Sequence, residues 1–363
     1  MTANVAPARL LSLDALRGFD MFWIMGGDMI LRSLPKIHNS PFTRLLAGQM
    51  EHCEWAGFHF YDLIFPLFVF IVGVSLVFSL PRSIERSGRP ATLKRVVVRS
   101  VILFLLGIFY MGGVANGFNN VYLAGVLHRI AVAYFFTSLL FIFFRFRTLV
   151  VLCPTLLIGY WALLTFVPAP GIGAPTLAEP GKNLAHYIDH LYLPGQKFEG
   201  TLLSTMAAVA NCLLGVLAGR LLQNETIPPR KKVHWLLASG LISLAVGFAW
   251  SIEFPIIKLL WTSTYVLVAC GYSAILLALF FQIIEIWGAR RWTAPLVWLG
   301  MNAITIYIIA NIVGFHRLAA RFVGGDIKAW LGPYGDLAQA VVGTALAFFV
   351  VWFLYRKQVF LRL

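Results

Sequence analysis

Residues 58–80 read FHFYDLIFPLFVFIVGVSLVFSL. Beyond Asp62 the run carries no charge over the roughly 20 helical residues needed to cross about 30 Å of hydrocarbon. Such a stretch reads as a membrane-crossing helix, and nine more apolar runs accompany it. They lie near 13–34, 96–113, 121–144 and 148–167 in the first half, and near 200–220, 234–252, 259–286, 294–313 and 336–355 in the second. The expected fold is an all-α polytopic membrane protein, a bundle of about ten transmembrane helices.

Composition leads to the same place. Of 363 residues 60% are hydrophobic and 12% charged, more apolar side chain than one soluble core can hide. The net charge of +14 does not indicate a nucleic-acid binder, because the Lys and Arg residues fall between apolar runs rather than on one soluble face. With the N-terminus inside, 19 basic residues occupy cytoplasmic connections (Arg9, Arg17, the cluster Arg82 to Arg99, Arg145, Arg147, Arg220, Arg230 to Lys232, Arg290, Arg291, Arg356, Lys357, Arg362). Nine fall outside (Arg32, Lys36, Arg44, Lys182, Lys197, Lys258, Arg317, Arg321, Lys328), and Arg129 falls within a span. Because basic residues resist translocation, both termini are expected in the cytoplasm.

Cys53, Cys153, Cys212 and Cys270 stand singly, with no C-x-x-C pair and no His at ligand spacing, so neither a disulfide framework nor a metal site is indicated. Asp14, Arg17 and Asp20 interrupt the first apolar stretch, which is therefore expected to be retained as a span rather than cleaved. Two external connections are long, about 35–57 and about 168–199, and Phe315 to Trp330 is too polar to span and is expected along the interface. No repeat is evident, so one transmembrane domain, 1–363, is the simplest parse, with landmarks at 12–34, 52–80 and 168–199.

Ionisable groups inside spans cost several kcal/mol unless they pair or face a cavity, so they mark candidate sites. Arg17 reads either as an ion pair with Asp14 three residues away or as a phosphate contact. Asp28 follows the flexible pair Gly26 and Gly27, where its carboxylate meets either a polar pocket or solvent at a helix end. His52 opens the segment before the second span, with Asp62 just beyond; it reads as an interfacial residue or as an acid–base group. His128 and Arg129 lie inside the fourth span, where Arg129 requires an anion or an acid such as Asp14, Asp20 or Asp62. Asn211 and Asn302 read as interhelical hydrogen bonds or as donors in a site, and Ser204 lies two helical turns before Asn211.

Two stretches resemble a known family. SLDALRGFDM at Ser12–Met21 is similar to the opening span of the transmembrane acyltransferases typified by heparan-alpha-glucosaminide N-acetyltransferase, with its bacterial NagX-like relatives. HCEWAGFHFYDLIFPLFVFIVG at His52–Gly73 resembles that family's His-led signature. Weaker echoes follow in order at Ala124–Ala131, Glu199–Gly219 and Leu299–Ile304.

The resemblance implies an acetyl-CoA-dependent N-acetyltransferase. It would move an acetyl group from the cytoplasmic face to a glucosamine-type amine on the far side, with ten spans and an active-site histidine at the position of His52. The animal enzyme has Asn where this chain has Asp28 and Gln where it has His128. The implied partners are acetyl-CoA, an amino-sugar or glycan acceptor, the lipid bilayer of a bacterial inner membrane and a second copy of the chain as a homodimer; nucleic acid is not among them. In this reading His52 is the base, Asp28 or Asp62 orients it, and Arg17, Arg129, His128, Asn211 and Asn302 are the candidates for contact with the coenzyme. A proton-coupled or amino-sugar transporter built on Asp28, Asp62, His128 and Arg129 is the alternative from another class.

Overall fold

The structure is a computed structural model that describes residues 10–115, 117–172, 175–194 and 200–360. Arg9, Gly173, Lys197, Glu199 and Arg362, which entered the reading of the sequence, lie outside the described residues. The described residues are helical and contain no strand, only an isolated bridge between Ala56 and Ile257. They fall into two packed units: one takes residues up to Met50, Pro228–Leu237 and the residues from Ile275 on, the other Glu51–Ile227 and Ala238–Ala274.

Among the described residues seven helices are long and apolar enough to cross a membrane, or eight if one bent pair counts as a span. The bent pair is α11 (Ala294–Met301) with α12 (Ala303–Val313), broken by 71° at Asn302. The larger departure from ten is one of counting. Helix α4 (Phe60–Tyr110) has 51 residues, about 76 Å at 1.5 Å per residue and more than twice a bilayer's apolar thickness. At Gly88 its backbone turns to φ 76° and ψ 166°, outside the helical region, so it is two helices end to end. Ser83 and Thr92 hydrogen-bond across that break at 3.0 Å, and Arg95 donates to Ser83 at 3.1 Å. The two arms account for the runs 58–80 and 96–113.

The first run is also broken. α1 (Leu11–Phe22) continues through a wide turn, Trp23–Gly27, into α2 (Asp28–Ile37), with Gly26 at φ 131° inside the turn. Neither half is long enough to cross a bilayer alone, at 12 and 10 residues.

In the first unit α1 packs tightly on α11. A Cβ at Gly18 would stand 1.7 Å from the Leu296 carbonyl oxygen, and one at Gly300 1.9 Å from that of Asp14, so only glycine allows this approach. The polar stretch 315–330 folds as α13 (Phe315–Val323) and α14 (Gly325–Trp330). It is tied to α15 (Gly335–Arg356): Gln339 donates to the His316 carbonyl at 3.1 Å, and Lys328 donates to Gln339 at 2.9 Å. Asp336 at the start of α15 pairs with both Lys36 and Lys328.

The second unit holds α4 to α8, with α5 (Val126–Phe143), α6 (Phe146–Phe166), α7 (Leu184–Tyr192) and α8 (Thr201–Gln223). The long connection after α6 thus contains a short helix of its own, α7. α4 and α8 meet through small residues: a Cβ at Gly73 would lie 2.0 Å from the Cys212 carbonyl oxygen, and one at Gly215 2.1 Å from that of Phe70. With lipid as apolar as leucine outside, close backbone approach of this kind replaces the hydrophobic drive between helices. Gly73→Ala is therefore expected to cost about 1–3 kcal/mol, read as a lower melting temperature in detergent.

The remaining long helices, α9 (Pro229–Trp250) and α10 (Ser263–Phe281), complete the set. Trp235, Leu241, Ile242, Val246 and Phe248 of α9 are all exposed, an apolar face that suits acyl chains and not water.

Candidate active site

The His-led segment folds as a loop pinned at both ends within the second unit. Gly57 sits at φ 132°, a conformation that favours glycine, and a Cβ there would lie 3.0 Å from the Cys53 sulfur. Its N–H donates to the Ile256 carbonyl at 2.8 Å, beside the Ala56–Ile257 bridge. The loop is thereby laid along the connection from α9 to α10, and Lys258 comes with that connection. Trp55 fastens the other side: its indole N–H donates to the Leu177 carbonyl at 2.7 Å, and its ring stacks on His186.

Asp62 stands in the first turn of α4 with no exposed surface. Its Oδ2 accepts the N–H of His59, the residue that caps the helix, at 3.0 Å, and that of Cys53 at 3.3 Å. Its Oδ1 lies 2.8 Å from His52 Nδ1 and 3.2 Å from Lys258 Nζ. Anions are favoured at a helix N-terminus, so the position suits a carboxylate before any partner is counted. Pro66, one turn on, has no N–H to give the Asp62 carbonyl, and the Tyr265 hydroxyl from α10 supplies the missing donor at 2.8 Å. The proline thus opens the helix for a contact that locks Asp62 to α10.

The tautomer of His52 follows from its neighbours. A carboxylate only accepts and an ammonium only donates. Nδ1 therefore carries its hydrogen towards Asp62, and Nε2, 3.1 Å from Lys258 Nζ, keeps its lone pair. The 2.7 Å approach of Nζ to Nδ1 brings together two donors drawn to one carboxylate. The His52 side chain is half exposed and its ring lies 4.9 Å from that of Tyr61. A buried acid, an oriented imidazole and an open face are what proton transfer to and from a substrate requires.

Cys53, His59 and Asp62 also offer ligand atoms within 4.8 Å of one another. Both Asp62 oxygens accept hydrogen bonds, and His59 Nδ1 lies 3.0 Å from the Glu51 carbonyl oxygen. Burial and the neighbouring Asp62 carboxylate push the Cys53 thiol up to about 11, so it is a poor thiolate. The other three cysteines are buried, and alkylation in detergent at pH 8 is expected to reach Cys53 roughly tenfold or more slowly than a free cysteine, accelerating as the pH approaches 11.

Arg129, in the first turn of α5, donates to Ser204 Oγ at 2.9 Å and stacks 4.6 Å over the Trp261 ring. Ser204 opens α8, whose first N–H groups are capped by Asp189, with Leu202 N–H at 2.9 Å. His186 and Asp189 of α7 therefore serve as a platform for Trp55 and a helix cap. His128 is buried, set edge-on to Phe104 and against Gly107; neither ring nitrogen meets a hydrogen-bond partner among the described residues. Asn211 donates to the Pro66 carbonyl at 3.1 Å.

The other three candidates belong to the first unit. Arg17 pairs with Asp14 at 3.3 Å, Asp28 lies 3.5 Å from Arg32, and Asn302 donates to the Trp298 carbonyl at the α11–α12 bend. Lys258, Tyr265 and Trp261 were not singled out from the sequence. Lys258 counted only as an external charge, and contacts some 200 residues apart along the chain leave no local pattern.

Residues 9–183 match the family described as heparan-alpha-glucosaminide N-acetyltransferase, catalytic. The chain is 25% identical to heparan-alpha-glucosaminide N-acetyltransferase of Homo sapiens, an alignment covering 99% of this chain and 61% of that protein. It is 28% identical to the protein of the same name from Mus musculus, covering 86% of this chain and 56% of that one. The chain thus spans less than two thirds of the length of these relatives. The matched stretch takes in His52, Asp62 and the loop between them.

Proposed function

We propose that the protein is an acetyl-CoA-dependent N-acetyltransferase acting on the amine of a glucosamine-type sugar. The acetyl group is taken from the cytoplasm and the acceptor from the opposite, periplasmic face of a bacterial inner membrane. The observation that carries this reading is the oriented pair His52–Asp62, 2.8 Å apart, with the imidazole half exposed on a loop fixed at both ends.

Acyl transfer from a thioester to an amine needs an unprotonated amine and a donor for the developing oxyanion. His52 Nε2 removes a proton from the acceptor ammonium while Asp62 holds Nδ1–H. The freed amine attacks the thioester carbonyl, the C–S bond breaks, the CoA thiolate leaves and takes up the proton from the imidazolium, and the second N–H proton goes to solvent as the amide forms. Arg129, His128 and Asn211, all of the second unit, are assigned to the pantetheine arm and thioester of the coenzyme.

The test is purified protein in detergent or liposomes with labelled acetyl-CoA and glucosamine, read as N-acetylglucosamine and free CoA. Glucosamine uptake into liposomes without loss of acetyl-CoA would make the protein a carrier instead. Reporter fusions at residues 88, 180, 228 and 325 are expected to place 88 and 228 inside and 180 and 325 outside; a periplasmic signal at 88 or 228 would overturn the orientation.

A further inference from the structure

The ammonium of Lys258 occupies the position that the mechanism requires of a substrate amine. Its Nζ lies 3.1 Å from His52 Nε2 and 3.2 Å from Asp62 Oδ1, within reach of the base and of the carboxylate that holds it. The side chain is largely but not wholly covered, at 18% exposure. The contact is built rather than incidental. Lys258 is delivered by the connection that the Gly57–Ile256 hydrogen bond and the Ala56–Ile257 bridge fasten to the His52 loop. On its far side that connection is held by the buried Tyr160, whose hydroxyl donates to the Leu260 carbonyl. A lysine ammonium and the ammonium of an amino sugar are the same functional group, and a base that deprotonates one at this distance deprotonates the other.

We propose that Lys258 is an internal acyl acceptor: without a sugar amine, the protein acetylates Lys258 Nζ from acetyl-CoA. This rests on the acetyltransferase reading. His52 Nε2 takes a proton from the Lys258 ammonium, and the resulting amine attacks the thioester carbonyl. A C–N bond forms, the C–S bond breaks, and the thiolate leaves and is protonated by the imidazolium. The second N–H proton goes to solvent as the amide forms. The ammonium and acetyl-CoA thus yield Nζ-acetyl-Lys258, CoA thiol and one proton, with no oxidant or other reactant needed. The amide is stable, so the reaction is self-limiting and leaves an acetyl group and no positive charge beside His52. A sugar amine prevents it by taking the same place.

The experiment incubates the full-length protein in detergent with labelled acetyl-CoA, with and without glucosamine, and locates the label by peptide mass spectrometry. Label is expected on Lys258, suppressed by glucosamine in proportion to occupancy, absent from that peptide in Lys258→Arg, and slowed about 10²-fold in His52→Ala. Preincubation with acetyl-CoA alone should progressively remove the ability to acetylate glucosamine.

If the same preparation acetylates glucosamine while Lys258 stays unmodified, the internal-acceptor proposal fails and the acetyltransferase reading stands. Equal labelling of Lys258 in His52→Ala, or label on another residue alone, also overturns the proposal, since the His52 base would not be acting on it. With neither glucosamine nor Lys258 acetylated, both fail.

Discussion

His52→Ala is expected to lower acetyl transfer to glucosamine by about 10²–10⁴-fold, the usual contribution of a positioned acid–base group. The imidazole is half exposed, so its removal strips little packing, and the variant should keep the melting temperature of the parent in detergent within a few degrees. Cys53→Ala serves as the neighbouring control and should retain activity, because burial and Asp62 hold that thiol protonated. The measurement is CoA release with glucosamine present. Full activity in His52→Ala would remove the base from the mechanism and with it the present account of the site.

Asp62→Asn should be at least as damaging, for a different reason. The carboxylate accepts from four donors: His52, Lys258 and the N–H groups of Cys53 and His59. An amide offers one oxygen and one NH2, so whichever way it turns a donor faces donors. With the oxygen towards the two backbone N–H groups, the NH2 points at His52 Nδ1 and draws the ring into the other tautomer, which hides the lone pair that should act on the substrate. In a serine protease triad the same change of tautomer lowers kcat about 10⁴-fold, and a loss of roughly 10³-fold or more is expected here. KM for glucosamine should move much less than kcat. A stability loss of about 1–3 kcal/mol should accompany it, since the amide leaves a buried donor unpaired. An Asp62→Asn variant with parental kcat would show that the pair does not carry the chemistry.

Much of this was visible along the chain. The apolar runs at 58–80, 200–220 and 336–355 are long and nearly free of charge, and a lipid solvent permits little besides a helix for them. Where breaks replaced continuous helices, the cause was a single backbone position: Gly26 at φ 131° divides the first run, and Gly88 at φ 76° divides the 51-residue element into two helices. Neither conformation can be read from a glycine's presence alone, because glycine also sits comfortably inside many membrane helices. Phe315 to Trp330, too polar to span, folds as two short helices fastened to α15 by Lys328 and Gln339, contacts that no local pattern announces.

The candidate site was half legible. His52 and Asp62 are ten residues apart, close enough in sequence for a loop and one helical turn to bring them together, and Asp62 at a helix start is a recognisable cap. Arg129 was expected to meet an anion or an acid, and its guanidinium donates to Ser204 and stacks on Trp261. For His52 the sequence offered two orienting acids, Asp28 and Asp62; the structure puts Asp62 on the imidazole and Asp28 beside Arg32.

By itself the sequence determined the solvent, the helical class and the motif that carries the histidine, because all three depend on composition and spacing within about 25 residues. Only the tertiary structure decided that Lys258 would stand against His52 and that Tyr265 would fill the carbonyl left open by Pro66. Those contacts join residues some 200 positions apart, and they exist because the backbone hydrogen bond of Gly57 and the close approach of α4 to α8 fix one arrangement of the unit.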